Sequence, residues 1–372
     1  MQRSHAYSAR AAMAMLLSLG AVSITQADIT TTISGFGTVG GSITSNSDYA
    51  YRHDPTEATG ATNQFDIGLE SRLGVQAVVD FGSGISVTAQ EVARQRASET
   101  FSLGTEWLYV QYAPNSDWKL RVGRVALATF LMSDSREVGY AAPWFRAPNE
   151  LYGTHAFQYV DGGQVRWHHN LGPVGIMLEG SLGSATSQYF FAGQSINIDI
   201  KDESNLAATL DYGDFRFRVA RTRVNSPASI PLGPNFTISY ILRDVFTSAG
   251  LQYDNGKALV MAEWAKRAEN NIPVVNLPVG ASREWYIAGG WRFGKLTPLL
   301  IYGKFDPVAS LTEPAGKFGT WSGSMRYDVV RNVALKAQIS RAQAGNSTYW
   351  TTFNAASSER INVYSIGADF VF

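Results

Sequence analysis

Polar and apolar residues alternate along most of the chain, in segments of about ten residues separated by Gly, Asn, Asp and Pro. In "VALKAQIS" at 333–340, for example, the odd-numbered positions are Val, Leu, Ala and Ile, whereas the even-numbered positions from 336 onward are Lys, Gln and Ser. Strict alternation over such lengths predicts β-strands with one polar and one apolar face. Between Ile29 and Phe372 the pattern predicts about sixteen strands.

The connections between these segments alternate between short turns and long loops. The short turns lie at 82–84, 115–117, 170–173, 254–257 and 329–332. The long loops lie at roughly 45–63, 126–162, 185–203, 225–244, 268–282 and 344–360. Tight turns at one end and long loops at the other are typical of an antiparallel up-and-down meander.

The same alternation occurs in soluble β-sandwiches and in membrane β-barrels, so the apolar face decides between them. A sandwich of so many strands would have to cover its apolar faces and would leave two open edges. A closed barrel satisfies every backbone group and has no edge, as crossing a bilayer requires. Seven tryptophans lie near strand ends or on the apolar side, where aromatic girdles meet the membrane interfaces: Trp107, Trp118, Trp167, Trp264, Trp285, Trp291 and Trp321. The sequence therefore predicts an all-β transmembrane antiparallel barrel.

The last predicted strand continues to the final residue, Phe372. Tyr364, Phe370 and Phe372 lie on its apolar side. A barrel needs its last strand to pair with its first, so we expect these aromatic residues to lie at the closure of the barrel.

The first residues resemble a secretory signal peptide. Arg3 and Arg10 precede an apolar run, "AAMAMLLSLGAV", and Thr25 and Ala27 stand where a signal peptidase recognises small residues. We expect residues 1–27 to be removed and residues 28–372 to form the barrel domain; an uncleaved N-terminal anchor is the alternative. The chain has no cysteine, which excludes disulfides and thiolate ligands, and its formal charge of zero argues against a nucleic-acid partner.

Three local motifs make the chain similar to the Gram-negative general diffusion porins: "SRLGVQ" at 71–76, "LRVGR" at 120–124 and "YSIGADFVF" at 364–372. The resemblance implies a water-filled outer-membrane channel in which small hydrophilic solutes and ions diffuse passively, without cofactor or covalent chemistry. It also implies a homotrimer surrounded by outer-membrane lipid, and a terminal strand that the barrel assembly machinery reads.

In that family the third extracellular loop folds inward and narrows the pore, and the segment 126–162 stands at the matching place. The family's Pro-Glu-Phe-Gly type motif is absent from it. The resemblance places Arg72 and Arg124 at the constriction, and the alternation adds Arg166 and Arg121. Asp134 and Glu137 of the loop would face them. Opposed charge rows in a low-dielectric wall would create a transverse field that favours hydrophilic solutes.

Other functions remain open in the sequence. "GFGTVG" at 35–40 spells a dinucleotide fingerprint, but no helix follows it, so a glycine-rich strand in close contact with a neighbour explains it better. His168 and His169 are adjacent and would point to opposite faces of a strand, so they could not share a metal. The alternatives to a general channel are a substrate-specific channel with Trp107, Tyr109 and Tyr286 on its inner wall, a barrel enzyme that uses His168, and a plugged structural barrel. The ion selectivity is not predicted.

Overall fold

A computed structural model of the chain describes residues 29–46, 50–97, 101–154, 158–191, 194–233, 236–269, 281–307, 318–343 and 360–372. These residues form a closed barrel of sixteen strands, in which each strand pairs with its neighbours in chain order and β1 pairs with β16. All the pairings are antiparallel. The predicted fold class and strand number are confirmed. The predicted signal peptide at 1–27 lies outside the described residues.

The strands and a short α-helix have the following bounds: β1 Thr30–Thr44, β2 Arg72–Asp80, β3 Ile85–Arg94, β4 Ser102–Tyr112, β5 Trp118–Ala126, α1 Asn149–Tyr152, β6 Tyr159–Leu171, β7 Val174–Phe191, β8 Gln194–Tyr212, β9 Phe215–Gly233, β10 Phe236–Asp254, β11 Ala258–Glu269, β12 Ser282–Trp291, β13 Leu296–Pro307, β14 Phe318–Val330, β15 Val333–Gln343 and β16 Arg360–Val371. Among the described residues, no helix has the length and apolar character needed to cross a membrane.

The predicted alternation separates the two faces of the wall. On β15, Leu335 and Ile339 point outward and are 48% and 56% exposed, whereas Lys336 and Gln338 point inward and are buried. A largely apolar outer surface around a polar interior is the arrangement that a bilayer favours, because lipid then contacts mainly apolar side chains.

The C-terminal strand closes the barrel through glycines of β1. Gly37 lies directly opposite Phe370, and the Gly35 amide donates to the Phe372 carbonyl over 2.9 Å. A Cβ atom at Gly35 would overlap the ring of Phe372, and one at Gly37 would overlap the ring of Phe370. Tyr364 lies opposite Ile43 further along the same seam. Gly35 and Gly37 of "GFGTVG" therefore leave the space that the rings of Phe372 and Phe370 occupy.

Aromatic side chains mark both borders of the outer apolar band. Towards the long loops, Trp285, Tyr302 and Trp321 lie side by side on β12, β13 and β14, with ring centroids 5.4 Å and 4.6 Å apart. Near the short turns, Trp118 and Trp167 lie opposite each other. Of the seven predicted girdle tryptophans, Trp107 is the exception: a bulge in β4 accompanies it, and it packs inside against Tyr109 and Val125.

The height of the barrel wall differs between its two sides, because the strands differ in length. The strands β2–β5 have 9 to 11 residues, whereas β7–β10 have 18 or 19. Two predicted long loops, 185–203 and 225–244, are therefore mostly strand, because their alternating polar residues extend the hairpins beyond the apolar band. Most of the loops predicted at 268–282 and 344–360 lies outside the described residues.

Candidate functional site

The segment after β5 folds into the barrel, as predicted. We call residues 127–154 the inner loop. It contains two single 3₁₀ turns, Ser133–Ser135 and Gly139–Ala141, and the helix α1. Such a long connection inside a compact fold needs polar partners along its whole backbone, and the inner wall supplies them.

The first part of the inner loop lies against β9, β10 and β11. Ser248 donates its hydroxyl to the Thr129 carbonyl over 2.6 Å, and Arg218 donates to the Phe130 carbonyl over 2.8 Å. The Leu131 amide donates to the Glu263 carboxylate over 2.8 Å. These three strands therefore hold the loop by its backbone.

An apolar cluster then fixes the loop to the inner wall. Phe130, Trp144 and Tyr152 of the loop pack on inward-facing residues of β10–β13, among them Met261 and Tyr286. The rings of Trp144 and Tyr286 meet edge to face, with centroids 5.6 Å apart. This side of the lumen therefore contains a packed apolar core at the level of Trp144 and Tyr286.

A single lysine binds three carbonyl groups of the inner loop. The Lys336 ammonium donates to the carbonyls of Gly139 and Ala142 over 2.7 Å and to that of Trp144 over 3.0 Å. It also pairs with Asp369 of β16 at 2.8 Å, and both side chains are buried. Lys336 thereby joins the middle of the loop to the closing seam of the barrel.

The first loop, residues 50–71, is joined to the inner loop by buried charges. Arg146 of the inner loop forms an ion pair with Glu70. His53 lies between two carboxylates, with Nδ1 2.8 Å from Glu57 and Nε2 2.9 Å from Glu70. Asn149 donates to the Arg52 carbonyl over 2.9 Å. The two loops form one polar unit inside the barrel.

Two of the predicted arginine–carboxylate pairs are present. Arg166 lies 2.7 Å from Asp134, and Arg72 lies 3.3 Å from Glu137. Arg94 stands directly opposite Arg72 and also faces Glu137, at 3.7 Å. The charges are in direct contact, so much of the predicted transverse field is cancelled locally. Arg166 pairs with two acids, Asp134 and the buried Glu179. The Asp134 side chain is 42% exposed, so it is the more accessible of these two acids.

Arg121 also faces the lumen. Its guanidinium donates to Gln111 over 2.9 Å and to Gln164 over 3.2 Å, and it stacks on the Tyr109 ring at 4.8 Å from the centroid. No carboxylate lies within ion-pair distance of Arg121 among the described residues. That Arg72, Arg121, Arg166, Asp134 and Glu137 form the narrowest ring of a pore stays a prediction.

Arg124 was expected in the lumen, and this expectation is wrong. Arg124 lies opposite Leu108 of β4 and Asp161 of β6, on the same face as Val122, which is 70% exposed. It binds Asp161 with two hydrogen bonds of 2.7 Å on the outside of the barrel. Arg121 and Arg124 are three residues apart, so on one strand they must point to opposite faces.

Several residues of the site were not predicted: Lys336 as a loop anchor, Glu263, Arg94, and the Glu70–Arg146 pair. Lys336 and Glu263 were recognisable only as members of the polar face. Their partners are backbone groups of a loop more than a hundred residues away in sequence. Alternation indicates which side of a strand is polar but contains no information on which loop folds against it.

Burial and charge shift the pKa values of the loop residues. Burial lowers the pKa of His53, but the carboxylates of Glu57 and Glu70 outweigh it and hold the pKa above its ordinary value. Burial also opposes the charged form of Glu70, yet Arg146 and His53 keep its pKa well below the usual range. In α1, burial raises the pKa of Glu150 to about 7.

These shifts predict that the inner loop loosens as the pH rises. His53 and Glu150 both bind protons more tightly in the packed loop, so their contribution is complete at acidic pH. Their contribution to the stability of the packed loop decreases as the pH rises towards about 7, where Glu150 ionises. It decreases further at higher pH, where His53 loses its proton. We expect proteolysis of the loop to be faster at pH about 8 than at pH about 5.5. Glu150→Gln should remove much of the difference, whereas His169→Gln, outside the loop, should keep it; an equal rate at both pH values would contradict the assignment.

The structure describes three histidines, at positions 53, 168 and 169. His168 and His169 lie at adjacent positions of β6, opposite Met177 and Ile176. His169 binds Asp117 at the short-turn end over 2.8 Å. No cluster of three or more metal-ligating His, Asp or Glu side chains is present within the described ranges.

Comparison with known proteins shows similarity at the level of structure. No family model and no curated protein matches the sequence. The chain resembles an anion-selective porin from Comamonas acidovorans with a TM-score of 0.58 and 12% identity, covering 93% of this chain and 100% of the porin. The outer membrane channel DcaP of Acinetobacter baumannii gives a TM-score of 0.57 and 13% identity, with 94% and 99% covered.

A trimer form of OmpT, an outer membrane protein of Vibrio cholerae, gives a TM-score of 0.57 and 14% identity over 92% of this chain and 100% of OmpT. The similarity extends over nearly the whole length of these proteins. The chain therefore has the fold of a bacterial outer-membrane β-barrel.

Proposed function

We propose that the protein is an outer-membrane channel through which small hydrophilic solutes and ions diffuse passively. The observation that carries the proposal is the inner loop, held by backbone contacts against one half of a polar lumen. A loop fixed in this way narrows a barrel without filling it, because its apolar residues pack on β10–β13 while Asp134 and Glu137 face the arginines of β2, β3 and β6. The shared fold with porins and outer-membrane channels supports the same function.

The unpaired Arg121 is the charge that would favour anions. Its guanidinium faces the lumen and forms no ion pair with a described carboxylate, whereas Arg72 and Arg166 are each paired with an acid of the inner loop. An unpaired positive charge would raise the local concentration of anions beside it. A mild anion preference is therefore our proposal for the selectivity.

Reversal potentials across a planar bilayer, measured in a salt gradient, test the channel and its charge. Arg121→Gln removes a positive charge from the lumen and should shift the permeability ratio towards cations by on the order of twofold. Asp134→Asn should shift it towards anions. Arg341→Gln, on the outer wall, serves as the matched control and should leave the ratio unchanged. Absence of current from folded wild-type protein would refute the channel.

Two other functions have less support. A substrate-specific channel would use inward aromatic residues, but Tyr286 is buried beneath the inner loop and donates to Glu263 over 2.8 Å. Saturable block of the current by one solute would nevertheless favour it. We propose that the protein has no enzymatic activity. Hydrolase activity in the wild type that is lost in a folded His168→Ala variant would overturn this proposal.

We also propose that the low wall is a contact between copies of the chain, in a homotrimer. On the outer face of β3–β6, Arg124 pairs with Asp161, and Glu91 accepts a hydrogen bond from Thr105 over 2.5 Å. Arg124 lies six residues after Trp118, which marks the short-turn border of the apolar band. In a tilted strand this distance corresponds to about 15 Å along the membrane normal, and the apolar band is about 25 Å tall, so Arg124 lies within the band. Charged groups at this depth are costly against lipid, so a protein surface is the better neighbour.

Native mass spectrometry of the detergent-extracted protein tests this contact. Val122→Trp places a bulky apolar side chain on the low wall, which lipid would accept and a packed interface would not. We expect monomers for this variant and trimers for wild type. Leu206→Trp, on the outer face of β8, should stay trimeric. Monomeric wild type, or equal assembly of both variants, would exclude the contact.

A further inference from the structure

Three basic residues form a row across the outer face of β9–β12. Thr247 of β10 lies directly opposite Arg221 of β9 and directly opposite Lys266 of β11. Lys266 in turn lies directly opposite Arg283 of β12. Arg221, Lys266 and Arg283 are all exposed on the outward face. We call these three residues the basic row.

The like charges of the basic row have no protein carboxylate between them. Directly opposite pairs on neighbouring strands have Cβ atoms about 4.5–5.5 Å apart, and like charges in this arrangement repel. None of the three residues forms an ion pair with another described residue. The nearest acid in the register, Asp306 opposite Arg283, pairs with Lys304 at 3.0 Å.

The inside of the barrel shows how the same arrangement is normally neutralised. Arg72 and Arg94 also stand directly opposite each other, and Glu137 of the inner loop lies against both guanidinium groups. Lys266 and Arg283 of the basic row are also directly opposite each other, on the outer face, but no described carboxylate forms an ion pair with either of them. An external anionic group between Lys266 and Arg283 would complete the arrangement in the same way.

The position of the row identifies the chemical source of that anion. Lys266 lies two residues beyond Trp264, and Arg283 two residues beyond Trp285, both towards the long loops. Interfacial tryptophans lie at headgroup level, and the outward residues below the row, Val219 and Ala249, are apolar. A free anion would find an open convex wall there, whereas a lipid phosphate is held in place by its own acyl chains.

We propose that the basic row binds the phosphate of a phosphorylated lipid in the outer leaflet, next to the girdle of Trp264 and Trp285. The inference rests on the location of the barrel in the outer membrane and is independent of conduction. Clusters of Lys and Arg at the headgroup level are the typical recognition surface for anionic lipids. Lipid held at this point would cover the outer face of β9–β12, away from the proposed contact between copies on β3–β6.

Retention of lipid through detergent extraction, measured by native mass spectrometry, tests the proposal. The protein is reconstituted with phosphatidylcholine that contains phosphatidic acid, then extracted. Wild type should keep phosphatidic acid and lose phosphatidylcholine. Lys266→Gln/Arg283→Gln should retain on the order of tenfold less phosphatidic acid. The charge-matched control Arg341→Gln/Arg360→Gln, also on the outer wall, should retain as much as wild type.

The remaining outcomes overturn the proposal. Equal loss in both double variants would mean that retention follows overall charge rather than the basic row. Displacement of the lipid by inorganic phosphate would indicate a site for free anions, and no retention by wild type would exclude the site. Heat-modifiable migration on a gel shows that each variant is folded. A variant that loses lipid but conducts normally leaves the channel proposal intact.

Discussion

Lys336→Met is expected to release the inner loop and to widen the channel. The variant loses three hydrogen bonds to loop carbonyls and leaves Asp369 buried without its cationic partner, with a hydrogen bond of 2.6 Å from the Thr38 hydroxyl. Breaking a buried ion pair by removing one partner costs about 3–5 kcal/mol. Because the loop backbone rather than the strand ladder depends on this lysine, the loss should fall on the loop.

Planar-bilayer recordings and denaturant unfolding separate the two effects of Lys336→Met. We expect a higher and noisier single-channel conductance, a lower unfolding midpoint and an unchanged strand content by circular dichroism. Lys304→Met is the matched control, since Lys304 lies on the outer wall in a pair with Asp306 and touches no loop residue in the described structure. Wild-type conductance and stability in Lys336→Met would show that the loop is held elsewhere.

Arg146→Met is expected to weaken the contact between the first loop and the inner loop. Glu70 would then remain buried with only His53 and Ser42 as partners. The expected loss of unfolding free energy is again about 3–5 kcal/mol, and it should grow as the pH rises because His53 loses its charge. Cleavage of the first loop by added protease reports the weakened contact directly.

The double variant Glu70→Gln/Arg146→Met distinguishes a charge effect from lost packing. Without the carboxylate, no unpaired charge stays buried, so the double variant should regain a large part of the stability that Arg146→Met loses. A double variant as unstable as the sum of the two single variants would mean that Glu70 and Arg146 act independently and that the ion pair does not join the loops.

The barrel could be predicted because the alternation of apolar and polar residues can be recognised within each strand separately. Each strand must place apolar residues towards lipid and polar residues towards water, so parity alone assigns Leu335 outward and Lys336 inward. The same rule would have placed Arg124 outside, since Arg121 points inward three residues earlier. The family motif suggested the opposite for Arg124, and the periodicity was the better guide.

The interior of the site could be predicted only in part. That a loop folds inward follows from its length and place in the chain, and Asp134 and Glu137 do meet arginines of the wall. The apolar contact between Trp144 and Tyr286 and the carbonyls that bind Lys336 depend on how the loop crosses the lumen. That path is set by many weak contacts between distant segments, and no periodic pattern in the sequence encodes it.

Single cysteines at four consecutive positions of β5 test the central claim, that successive side chains of a strand alternate between the water-filled lumen and the outer wall. The chain has no cysteine of its own, so Lys119→Cys, Leu120→Cys, Arg121→Cys and Val122→Cys each carry one thiol. With a water-soluble maleimide and reconstituted protein, we predict rapid labelling at 119 and 121 and little at 120 and 122. Equal labelling at all four positions, or faster labelling at 120 and 122, would contradict the account.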